Sequence, residues 1–164
     1  LAKQEQLGGG RPAGRGKRVI VDRNDGFAAL KAVLPPPGRR AVVLIDPPYE
    51  NKMDYQKVVE SMADAMKRFP TGTYLIWYPV LQRHESQRFA ERLKKTVNQE
   101  WLNVTLSIGS QTPDGFGLVS SGMFVVNPPW KLAEELKETM PYLVSVLQKD
   151  SGAAYLLETG TGKS

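Results

Sequence analysis

Asp46, Pro47, Pro48 and Tyr49 stand directly behind the run Arg40-Ala41-Val42-Val43-Leu44-Ile45. That order joins a carboxylate, a rigid stretch of backbone carbonyls and an aromatic ring at the end of an apolar segment. The chemistry it suits is methylation of an amino nitrogen conjugated to an aromatic base. An adenine N6 amine is a poor nucleophile because its lone pair is delocalised into the ring. Asp46 Oδ and the Pro47 carbonyl can each accept one N–H bond from such an amine, favour its pyramidalisation and aim the lone pair at a methyl donor. The prolines hold these acceptors in place with no entropy lost at the moment of reaction. Tyr49 is expected to stack on the base, a contact worth roughly 1–3 kcal/mol in nucleic-acid sites.

A second match, Asn127-Pro128-Pro129-Trp130, follows the apolar run Met123-Phe124-Val125-Val126. Both copies cannot hold the same amine. Asp46 accepts through two oxygens and can take up a proton as the amine becomes cationic, whereas Asn127 offers one acceptor oxygen and no useful basicity. Chemistry favours the first copy, modestly.

The elements that must position these residues follow from pattern. Ala41–Ile45 is short, continuous and rich in β-branched residues, which predicts a strand buried on both faces and stopped at Asp46 by the prolines. Open α/β sheets bind ligands at such carboxyl ends. Arg18–Asp22 reads as an earlier strand, followed by a turn at Asn24-Asp25-Gly26-Phe27 with Asp25 as helix cap, and a helix from Ala28 to about Leu34. Helices are predicted over Asp54–Phe69, with methionines as core filling, over about Leu81–Val97, and over Lys131–Leu147 with a break or bend at Pro141. Further strands are expected at Thr73–Tyr78, Leu102–Ile108, Met123–Val126 and, briefly, Ala154–Leu157. The polar, glycine-rich segment Gly109–Gly122 reads as a loop able to cover a substrate. Strand–helix alternation that gives way to a strand pair argues for a doubly wound α/β sheet with an antiparallel strand at its far edge.

Composition narrows the class. The chain has 164 residues, 41% of them hydrophobic, which is enough for one domain with a real core. It has no cysteine, which excludes disulfides and cysteine-held zinc and fits a reducing, cytoplasmic setting. The single histidine, His84, sits in a polar segment and reads as a solvated helix residue, so no metal site is expected. No apolar stretch is long enough for a bilayer, so no membrane is expected either. The net charge of +5 is a mild pointer to a polyanionic partner. Arg11, Arg15, Lys17 and Arg18 cluster near the start, and Arg39 and Arg40 precede the motif strand. Gly8, Gly10 and Ala13 formally match a dinucleotide-binding fingerprint, but with no strand before them a mobile basic loop is expected instead. Gly160–Ser164 looks like the end of a phosphate-binding loop, yet Leu157 stands where the full pattern needs glycine.

From about Val19 to Leu147 the chain resembles the family of 23S ribosomal RNA adenine N6-methyltransferases typified by RlmJ. The residues that carry the likeness are Asn24-Asp25-Gly26-Phe27, Leu44-Ile45-Asp46-Pro47-Pro48-Tyr49-Glu50, Arg68-Phe69-Pro70-Thr71-Gly72-Thr73-Tyr74, Trp77-Tyr78-Pro79-Val80, Ser121-Gly122-Met123 and Asn127-Pro128-Pro129-Trp130-Lys131. The resemblance implies that Asp46, Pro47, Pro48 and Tyr49 are the catalytic block, which settles the contest with Asn127. It implies S-adenosylmethionine as cofactor, its adenine held by Asp25 with backbone help from Gly26 and Phe27, and Asp46 at the transfer end. Ribosomal RNA is the implied partner, and the intact protein is expected to be a monomer.

The same resemblance implies a partial Rossmann-like class I methyltransferase sheet. Family members carry a glycine-containing cofactor loop and a ribose-holding acidic residue ahead of where this chain starts. The chain is therefore expected to be an incomplete enzyme: a basic lead-in over 1–17, the C-terminal part of a catalytic domain over 18–158, and a flexible tail over 159–164. Its exposed sheet edge is expected to favour association. Two alternatives stand beside this reading, a DNA adenine N6-methyltransferase and a non-catalytic RNA-binding fragment.

Overall fold

The computed structural model of the protein describes residues 19–111 and 117–162. Its first two helices begin where short polar side chains can take over orphan amides. Asp25 Oδ1 accepts from Phe27 N at 2.8 Å and caps α1 (Gly26–Val33). Asn51 Oδ1 accepts from Met53 N at 2.9 Å and caps α2 (Lys52–Arg68). The apolar stripe of α2 places Tyr55, Val58, Met62, Ala65 and Met66 in the core, so these two methionines do fill it.

Five strands form one sheet: β1 (Val42–Ile45), β2 (Thr73–Pro79), β3 (Glu100–Ser107), β4 (Ser120–Val126) and β5 (Ala154–Thr161). Their spatial order is β1-β2-β4-β3-β5. Only β1 and β2 run parallel; β4 pairs antiparallel with both β2 and β3, and β5 closes the far edge antiparallel to β3. The fold is thus mixed α/β with an antiparallel edge strand, and antiparallel pairing reaches further into the sheet than strand–helix alternation alone suggests. A Cβ on Gly122 in β4 would run into the Tyr78 ring, so the sheet packs there only with glycine.

The register aligns Ile45, Ile76 and Phe124 in one row and Val43, Tyr74 and Val126 in the next. This face meets α2, α3 (His84–Gln87) and α4 (Phe89–Thr96), burying Tyr55, Val58, Phe89 and Leu93 against the strands. The opposite face carries α5 (Leu132–Leu147), which packs on β3 and β5 and buries Met140.

Several expectations are corrected. Val19, Ile20 and Val21 are 82%, 76% and 87% exposed and belong to no strand among the described residues, because β-branched propensity makes a strand only where a neighbour completes the ladder. β1 is buried on one face only: Val42 and Leu44 are exposed, since α5 lies too far along the sheet to cover them. The helix expected over Leu81–Val97 starts at His84 and divides at Arg88. Ser86 Oγ donates to Pro79 O at 2.7 Å and accepts from Leu81 N at 2.8 Å, folding that stretch into a loop. α5 runs through Pro141 without a break.

Thr159, Gly160 and Thr161 are no flexible tail, for they pair with Leu102, Trp101 and Glu100 in β5. A strand paired along its length cannot wrap a phosphate. The segment expected as a covering loop is shorter than predicted, because Ser120, Ser121 and Gly122 already belong to β4. Residues 1–18, with their arginines and the glycine pattern, lie outside the described residues, as do 112–116 and 163–164.

Candidate active site

β1 ends at Ile45, whose partner is Ile76, so Asp46 and Trp77 are the next residues along two parallel strands. The prolines then turn the chain away from the sheet. Asp46, Pro47 and Pro48 line a cleft of about 340 Å³ that Asp25, Gly26 and Phe27, at the start of α1, also line. Leu30, Leu44 and Ile45 supply apolar surface between them. The volume falls at the lower end of the roughly 300–1,000 Å³ typical of small-molecule sites. Two sequence blocks about twenty residues apart, both singled out from sequence, therefore share one cavity at a strand's carboxyl end.

Asp25 does two things there. Its Oδ1 accepts from Phe27 N at 2.8 Å and Ala28 N at 3.4 Å as the α1 cap. Its Oδ2 makes no such bond among the described contacts and remains free for a ligand N–H. The turn role read from the residues and the ligand role implied by resemblance are thus compatible on one carboxylate.

Tyr49 is the exception. Its ring is 2% exposed and lies 4.7 Å from Tyr55, 5.8 Å from Phe89 and 6.3 Å from Trp77, centroid to centroid. Its hydroxyl donates to Trp77 O at 2.7 Å, and burial, followed by the nearby Tyr55 and Asp46, pushes the phenol well above its ordinary pKa. The backbone at Tyr49 is left-handed, with φ 53°. That turn, together with an aromatic pocket built by α2 and α4, directs the ring into the core. In this structure the face expected to stack on a base is covered by protein.

Sequence reasoning missed Lys57. It lines the cleft, with Nζ 3.9 Å from Asp54 Oδ1 and 6.0 Å above the Phe27 ring. Its spacing from the buried Asp54, one helical turn on, is the signal that could have placed it. His84 is exposed at the start of α3, as expected. Among the described residues no group of three His, Asp or Glu side chains is arranged to hold a metal, and no helix is long and apolar enough to cross a membrane.

The second Pro-Pro-aromatic block sits at the opposite end of the sheet, because β4 runs against β1 and β2. Asn127 Nδ2 donates to Pro70 O at 2.8 Å and Gly72 O at 2.7 Å, and Thr73 Oγ1 donates to Asn127 O at 3.1 Å. The side chain is a clamp for the turn into β2. Arg39 and Arg40 are exposed at the amino end of β1, also away from Asp46.

A family model described as ribosomal RNA large subunit methyltransferase D, RlmJ, matches residues 13–157. Ribosomal RNA large subunit methyltransferase J of Haemophilus influenzae is 43% identical over 142 residues, covering 87% of this chain and 50% of the relative. Its Escherichia coli counterpart is 45% identical over 130 residues, covering 79% of this chain and 46% of the relative. A crystallised protein from Legionella pneumophila, assigned to family DUF519, superposes with a TM-score of 0.80 at 28% identity, over 88% of this chain and 52% of that one. The chain spans about half the length of the relatives it matches.

Proposed function

Since the chain belongs to the RlmJ family of ribosomal RNA large subunit methyltransferases, we propose that its protein transfers a methyl group from S-adenosylmethionine to the N6 amine of an adenine in 23S ribosomal RNA. The observation that carries this reading is the shared cleft, lined both by Asp25, Gly26 and Phe27 and by Asp46, Pro47 and Pro48.

The residues present fit part of the cofactor. Asp25 Oδ2 would accept from the exocyclic amine of an adenine, and Phe27 and Leu30, which line the same cleft, would offer apolar surface to its ring. When bound, the cofactor supplies an electrophilic methyl on a sulfonium sulfur. The chain's own residues act on the nucleophile. Asp46 Oδ and the Pro47 carbonyl accept the two N–H bonds of the target amine, draw its lone pair out of conjugation and fix its direction. An amine that accepted this methyl would become cationic beside Asp46. The Asp46 carboxylate then stabilises that charge more strongly than it stabilised the neutral amine, which is where rate is gained. The excess proton leaves through Asp46 to solvent.

Tyr49 serves this chemistry from behind, as the anchor that fixes the loop. Lys57 closes one side of the cleft over Phe27. The reading implies ribosomal RNA as partner and the cytoplasm as the place of work. Incubating the protein with unmodified large-subunit rRNA, duplex DNA and methyl-labelled cofactor tests it. Label at adenine N6 of the rRNA is expected. Preference for the DNA, or label in another atom, contradicts it.

A further inference from the structure

Arg83 precedes α3 and is half-buried, yet among the described residues it forms no ion pair within 4.0 Å. Its Nη1 instead donates to the carbonyl oxygen of Tyr49 at 3.4 Å. The Glu85 carboxylate feels the Arg83 charge from beyond ion-pair distance, so the guanidinium's direct bond here is the one to this carbonyl. The carbonyl it has found belongs to the last residue of the Asp46–Tyr49 block.

That residue is also the strained one. Left-handed backbone at a tyrosine is strained and persists only where its surroundings enforce it. Two bonds do so from one segment: Trp77 O accepts the Tyr49 hydroxyl at 2.7 Å, and Arg83 holds the Tyr49 carbonyl. Trp77 follows the last parallel pair, Ile45 with Ile76, and Arg83 lies in the Pro79–Ser86 loop that Ser86 ties shut. α3 itself is joined to the start of α2 by Lys52 Nζ and Glu85 Oε1 at 3.7 Å. The chain from Trp77 to Arg83 therefore grips Tyr49 at its ring end and its backbone end.

We infer that Arg83 is a positioning residue for the catalytic loop, holding the left-handed turn at Tyr49 so that Asp46 Oδ and the Pro47 carbonyl converge on the amine. The inference rests on the function proposed above. Arg83 is not among the residues that line the cleft, so it would act through the loop and not on cofactor or amine directly. Its loss lets the turn relax, and shifts of the acceptors by a fraction of an ångström fall on the rate of transfer.

Steady-state kinetics on rRNA with wild type, Arg83→Met and Arg83→Lys decide the matter. Methionine keeps the apolar stem and removes every donor; lysine restores N–H donors and the charge without the planar fork. Arg83→Met is expected to lower kcat about tenfold or more, with rRNA KM and cofactor Kd within about twofold of wild type. Arg83→Lys recovers most of that loss. Wild-type kcat in Arg83→Met overturns the inference, and so does a loss confined to KM, which would make Arg83 an RNA contact. If Arg83→Met does not fold, Arg83→Gln takes its place: lowered kcat at unchanged rRNA KM is expected, and wild-type kcat or a loss confined to KM overturns the inference. A wild-type protein that transfers no methyl to rRNA refutes the proposed function instead, which keeps the two failures apart.

Discussion

Asp46-Pro47-Pro48-Tyr49 and Asn127-Pro128-Pro129-Trp130 each follow an apolar strand, yet the first loop turns its acidic head to a cleft and buries its ring, while the second commits its amide and exposes its ring. Tyr49 is 2% exposed and Trp130 82%. The left-handed residue falls at opposite ends of the two blocks, at Tyr49 with φ 53° and at Asn127 with φ 52°. Strand direction separates them further: β1 delivers its loop to the carboxyl end of the parallel pair, and β4 delivers its own to the amino end. The same four-residue grammar thus lines an open cleft where, among the described residues, the head side chain has no hydrogen-bond partner, and makes a structural clamp where neighbours consume it.

The contrast yields measurable differences. The largest is in stability. Tyr49→Ala removes a buried ring packed on Tyr55 and Phe89 and should cost roughly 3–5 kcal/mol, whereas Trp130→Ala should leave the melting temperature nearly unchanged. Similar losses for both, by denaturant titration, would mean that the first ring is not the buried one. Asn127→Ala comes next. It leaves two carbonyls and a tight turn without their donor and should destabilise by roughly 1–3 kcal/mol, with kcat of the folded fraction unaffected. A fall in kcat would bring the second block back into the chemistry.

Asp25→Ala should weaken cofactor binding by roughly 1–3 kcal/mol and be largely rescued at saturating cofactor, as titration and kinetics would show. A lower maximal rate at unchanged affinity would place Asp25 nearer the reacting atoms than the adenine. The smallest effect belongs to Arg39 and Arg40. Each phosphate contact on a single strand adds about −0.7 to the slope of log affinity against log salt. Because both arginines stand at the end of β1 away from Asp46, removing them together should flatten the slope by less than one contact's worth. A change of a full unit or more would extend the RNA path along the whole strand.

How much of this was legible follows the range of each interaction. The turn at Asp25, the α2 stripe, the stop at Asp46 and the core strands Thr73–Tyr78 and Met123–Val126 are written locally, in caps, prolines and period. The meeting of Asp25 with Asp46 in one cleft was available only through resemblance, since nothing local fixes how α1 folds back on β1. The burial of Tyr49 was not legible at all. It depends on Tyr55 and Phe89 arriving from two later helices, and on a backbone turn that no residue type announces. Nor does sequence reveal that Tyr78 donates to Asn103 Oδ1 at 2.7 Å inside the sheet, where burial pushes the phenol up to about 12 although that bond works the other way. Val19–Val21 shows the converse: a strong local strand signal with no ladder among the described residues.

The central claim is that Asp46 acts on the amine in the transition state and not on the cofactor in the ground state. Single-turnover methyl transfer to rRNA by Asp46→Ala, at saturating cofactor and with cofactor Kd measured on the same preparation, tests it most directly. The account predicts a rate lower by roughly 10²-fold or more with Kd nearly unchanged. Near-normal transfer, or a loss that disappears as cofactor is raised, would contradict it.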